Sequence, residues 1–97
     1  MKPVIFSAEA EEEWHRSVDY YERQKTGLGL EFEEAVRFAA LTIAQNPQRW
    51  PNIGSAQRYL LTRFPFSLFY LDFPNCVFVI AVAHMSREPF YWKNRTK

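Results

Sequence analysis

Apolar positions recur along this chain with two different periods. From Ala10 to Ile43 they return every three or four residues, the spacing of one helix face. From Gln57 to His84 they alternate or run almost unbroken, as in strands. Val4-Ile5-Phe6 precedes the helical part and reads as a first strand. Ser7 stands where an N-cap belongs, because its hydroxyl can accept an orphan backbone N–H. Ala10, Trp14, Val18 and Tyr21 then make one apolar face. That helix is expected to end near Thr26, with Gly27 just past its C-cap. A second helix carries Leu28, Phe32, Ala35, Val36, Ala39 and Ile43 on one stripe. Asn46-Pro47 stops it, since the residue before proline resists the helical region.

Pro47 to Ala56 contains two prolines and a glycine and reads as loop, with Trp50 pinning it to the core. Three strands are expected after it. They are Gln57 to Phe64, Phe66 to Phe73 and Cys76 to His84, separated by Phe64-Pro65 and Pro74-Asn75. The last is the most strand-like run and is placed at the centre of the sheet. The order is β-α-α-β-β-β: an α+β fold with a helical hairpin packed on a small, mainly antiparallel sheet.

Ninety-seven residues suit one domain spanning 1–97. The apolar fraction of 47% is enough for a core without staples. The run from Cys76 to Ala83 is far below the ~20 residues that span a bilayer. No signal-peptide pattern opens the chain. The single cysteine, Cys76, has no disulfide partner and reads as a buried small hydrophobe. A cytoplasmic protein with no membrane association is expected.

Net charge is only +1, but its sign is segregated. Residues 1–56 hold six Lys/Arg against nine Asp/Glu, a net of −3. Residues 57–97 hold six against two, a net of +4. A basic face for a polyanion is one reading of this asymmetry.

Standard catalytic signatures are missing. Gly27 and Gly29 lack the Lys-Ser/Thr of a phosphate loop. Two histidines and one cysteine make no metal site, and no cofactor is expected. Glu9, Glu11, Glu12 and Glu13 read as a solvated first turn stabilised by the helix dipole. What remains is a basic and aromatic set. His84 ends the last strand, and Arg87 and Tyr91 follow it; these three are the candidate catalytic residues. Arg58, Arg63, Trp92, Lys93 and Arg95 are the candidate target-binding residues. Arginines can clamp phosphates, His or Tyr can move protons, and aromatics can stack on bases.

Three segments, VDYYERQKTGLGLEFEEAV, QRYLLTRFPFSLFY and VIAVAHMSREPFYWKNR, occur in that order. Together they resemble the RelE/ParE toxin superfamily, the plasmid stabilisation proteins, over nearly the whole chain. The resemblance implies the toxin of a type II toxin–antitoxin pair, neutralised by a cognate antitoxin protein. It leaves two activities open. One is cleavage of mRNA on the ribosome, with Arg87 and Tyr91 matching residues of ribonuclease members. The other is inhibition of DNA gyrase without catalysis. A degenerate, inactive toxin is the third alternative. Arg58 and Arg63 match basic strand positions of the superfamily. The lysine-rich strand pair of its strongly active ribonucleases is absent, with Gln57 and Thr62 among the arginines.

Overall fold

A computed structural model describes residues 1–96. Strand β1 (Val4–Phe6) leads through Ser7 into α1 (Ala8–Gln24). The Ser7 hydroxyl accepts the Ala10 N–H at 3.0 Å, the capping bond its position predicts. Helix α1 ends three residues earlier than Gly27, at Gln24, with extended Lys25 as its cap. Gly27 does take a left-handed φ of 90°, but there it opens α2 (Leu28–Gln45). Glu22 accepts the Gly27 and Gly29 N–H groups and so closes the turn. The helices cross so closely at Gly29 that a Cβ there would lie 2.7 Å from the Val18 carbonyl oxygen.

Pro47 to Ala56 is not plain loop. It holds a 3₁₀ turn (Pro47–Arg49) and a two-residue strand, β2 (Asn52–Ile53). The Gln57 amide donates to the Pro47 and Trp50 carbonyls, and the Tyr70 hydroxyl also donates to Pro47. Those side-chain bonds replace a regular ladder and hold the segment down. Strands β3 (Ala56–Leu60), β4 (Phe66–Asp72) and β5 (Val77–His84) complete the sheet. β3 stops four residues short of the expected Phe64. Leu61 instead bonds back to the Phe66 carbonyl, and the chain turns early.

The sheet order is β1-β5-β4-β3-β2, with β1 parallel to β5 and the other pairs antiparallel. The fold is therefore α+β, two helices on a five-stranded mixed sheet. β4, not β5, is the middle strand, because the short β2 adds a strand on the far side. Cys76 lies in the turn before β5 and is only half-buried.

Both sheet faces are covered. One face meets the helices in a core of Trp14, Phe32, Val36, Ile43, Phe66, Leu68 and Val79. The other is covered by the C-terminal segment, whose Trp92 packs with Ala56, Ile80 and Ala81. Trp92 is 1% exposed and its ring lies 4.6 Å from that of Phe69.

Candidate target-binding site

The site begins with an irregularity in β5. Phe69 pairs with Ala81 while its neighbour Tyr70 pairs with Val79, so Ile80 is an extra residue, a β-bulge. Ile80 and Ala81 both pack on the Trp92 side, and the alternation reverses beyond them. Val82 rejoins the helix-side core, and His84 lies edge-on to Phe66 at 5.1 Å. Strict alternation from Val77 would have put both on the opposite face.

The bulge lies just past the reach of β1, so the Ile80 carbonyl and Val82 N–H need other partners. Glu13 of α1 accepts the Val82 N–H at 3.0 Å. Arg95 donates to the Ile80 carbonyl at 3.0 Å. The two side chains then meet in a bidentate pair at 3.0 and 3.3 Å. The Tyr91 hydroxyl donates to the same carboxylate at 2.8 Å, and Arg87 lies 3.6 Å from it. The Arg87 guanidinium is 3.8 Å from the Tyr91 ring centroid and that of Arg95 is 5.1 Å away. One carboxylate thus gathers three residues of the C-terminal segment onto a strand edge. Glu13 is not part of a solvated face: its side chain is 12% exposed.

These contacts set the chemistry of the candidates. Burial, then the hydrogen bond and charge of Glu13, push the Tyr91 phenol well above its ordinary range, against the opposing fields of Arg95 and Arg87. Tyr91 at neutral pH is a neutral donor held to Glu13. Burial opposes the charge of Arg95, but its bond to Glu13 outweighs this and its pKa is raised. His84 Nδ1 accepts the Ser86 N–H at 3.0 Å and lies 2.8 Å from the Ser86 hydroxyl.

His84 and Arg87 stand on a ridge between two grooves. On the helix side, a groove of about 370 Å³ is also lined by Glu13, Tyr20, Tyr21 and Phe66. On the sheet side, a cavity of about 430 Å³ adds Arg58, Tyr91 and Trp92. The remaining candidates are dispersed. Arg63 faces a separate groove beside α2 and pairs with Glu31 at 2.7 Å. Lys93 is exposed in a terminal 3₁₀ turn. Trp92 belongs to the second core. Glu13 escaped the sequence reading, although its spacing carried a signal: it lies three residues after Ala10 and adjoins Trp14, on the border of the apolar stripe. Among the described residues, no three His, Cys, Asp or Glu side chains gather as metal ligands. No described helix is long and apolar enough to cross a membrane.

A family model described as the ParE toxin of type II toxin–antitoxin systems, parDE, matches residues 4–89. The match ends two residues before Tyr91. A solved structure, the chromosomal ParDE toxin–antitoxin system from P. aeruginosa, is similar at 12% identity with a TM-score of 0.76. The alignment covers 87% of this chain and 96% of that one, a likeness of fold. Among curated proteins, none matches.

Proposed function

The chain belongs to the ParE toxin family of type II toxin–antitoxin systems, and from that premise we propose that it arrests growth by binding a protein target, DNA gyrase, without cutting RNA. A cognate antitoxin is its other partner and keeps it silent. The observation that carries this reading is the engagement of Tyr91 with Glu13. A nuclease using this site needs a group free to take the 2′-hydroxyl proton. Tyr91 is a bound donor with a raised pKa, and His84 Nδ1 is already engaged by the Ser86 N–H.

Charge supports the same reading. Acids of the two helices pair with arginines outside the strands, Glu31 with Arg63 of the β3–β4 turn and Glu13 with Arg87 and Arg95 of the C-terminal segment. Among the described residues, three cations that follow Gln57 are thereby partly compensated, which weakens the pull on a polyanion, whose affinity scales with the phosphates neutralised. The exposed ridge of His84, Met85, Arg87 and Phe90 has the aromatic and Arg content favoured at protein interfaces.

Expression without antitoxin tests this directly. The expected outcome is an induced DNA-damage response with full-length transcripts and continuing translation. Cleaved coding transcripts with no damage response would instead support the ribosomal nuclease.

A further inference from the structure

The cavity on the sheet face contains an unexplained cation. Arg58 and Phe69 are register partners on β3 and β4, so their side chains share the face that Trp92 covers. Arg58 is half-buried, and its Nε is shielded from solvent with no acceptor. The indole N–H groups of Trp14 and Trp50 also lack acceptors, but they carry no charge. Among the described residues, the other partly covered cations are paired, Lys2 with Asp72 and Arg95 with Glu13. The remaining arginines are exposed. The shielded part is the Nε–H alone; a covered donor with no acceptor is costly, and next to a cationic head it points to an anionic ligand that completes it.

The surroundings define that ligand. Buried Ser67 lines the same cavity and offers a hydroxyl. The other walls are mostly apolar: Ile53, Leu60, Phe69, Phe90 and Trp92. Phe90 is held at a φ of 62°, a strained value for a non-glycine residue, with its ring against Gly54. Arg87, at the rim, is already engaged with Glu13 and Tyr91, and Glu88 also lines the cavity. One free cation in a mostly apolar chamber suits a single negative charge carried on a greasy body, and Glu88 on the lining works against any more highly charged anion. It does not suit a chain of phosphates.

We propose that this cavity is a carboxylate-binding site that seats one Asp or Glu of a partner protein against Arg58 and Ser67, with a bulky apolar neighbour of that residue packed against Phe90 and Trp92. The inference goes beyond the growth-arrest reading and does not depend on which cellular target is bound, since its readout is binding alone.

The test is a titration of isotope-labelled protein followed at the Arg58 Nε–H and Trp92 Nε1–H signals. The probes are a blocked tripeptide with aspartate between two bulky apolar residues, its asparagine counterpart, inorganic phosphate and a uridine oligonucleotide. The aspartate peptide is expected to shift both signals saturably. The asparagine peptide should bind at least tenfold more weakly to the unaltered protein. Arg58→Met, which keeps the apolar stem, should weaken the aspartate peptide at least tenfold while the amide spectrum stays folded. Equal binding of the two peptides, or no shift with the aspartate peptide, would overturn the proposal. Saturation by phosphate or oligonucleotide in preference to the peptide would overturn it in favour of a nucleic-acid site.

Discussion

Glu13 is the residue whose loss reaches furthest. Its carboxylate accepts from a strand amide, a phenol and a guanidinium, and a second guanidinium lies close by. Replacing it with glutamine keeps the volume but turns one oxygen into a donor facing other donors. Removing one partner of a buried ion pair costs ~3–5 kcal/mol. Arg95 keeps some contact with solvent, so Glu13→Gln is expected to lie near the low end, about 3 kcal/mol. Urea unfolding of the variant checks this.

Tyr91 and Tyr70 add a dependence on pH. Burial is the first cause of both raised phenol pKa values, joined by Glu13 at Tyr91 and by the field of Asp72 at Tyr70. Because the folded pKa lies above the unfolded value of ~10, the folded state holds its proton where the unfolded chain has released it. Their contribution to stability is then constant below pH ~10 and is lost as pH rises above it, by up to about 1.4 kcal/mol per pH unit for each such tyrosine. Tyr91→Phe should make the alkaline loss shallower. An unchanged slope would show that Tyr91 is not protected by the fold. Arg87→Ala removes only an exposed pair and a stacking contact, so about 1 kcal/mol or less of stability should go with it.

At the scale of elements, the C-terminal segment behaves as part of the core. Trp92 fills the face of the sheet that no helix covers, so Trp92→Ala is expected to cost about 3–5 kcal/mol in denaturant unfolding. The helices were legible in the sequence because caps and apolar spacing agreed, as at Ser7 and along Leu28 to Ile43. The β5 bulge was not. VFVIAVAH reads as one unbroken strand, and nothing in its residue types marks Ile80 as an extra residue. The bulge places His84 beside Phe66 and frees the Val82 amide for Glu13. Without it, the acids of α1 looked like solvated charge. β2 was hidden for a related reason: side-chain bonds from Gln57 and Tyr70 hold a proline-rich segment that has almost no ladder of its own.

At the scale of the whole molecule, acids of the two helices pair with arginines of the β3–β4 turn and the C-terminal segment. The sequence showed the asymmetry but not the pairing, because Glu13 and Arg95 are 82 positions apart and meet only through the fold. What remains exposed is a ridge of His84, Met85, Arg87 and Phe90 between two grooves. The proposed reading is that this surface binds without reacting, and the occupied phenol of Tyr91 supports it. The most direct measurement is ATP-dependent supercoiling by purified DNA gyrase in the presence of this protein. Dose-dependent inhibition, weakened at least tenfold in folded Arg87→Ala, is the predicted result. Unimpaired supercoiling at concentrations where the same preparation cuts ribosome-bound mRNA would contradict it.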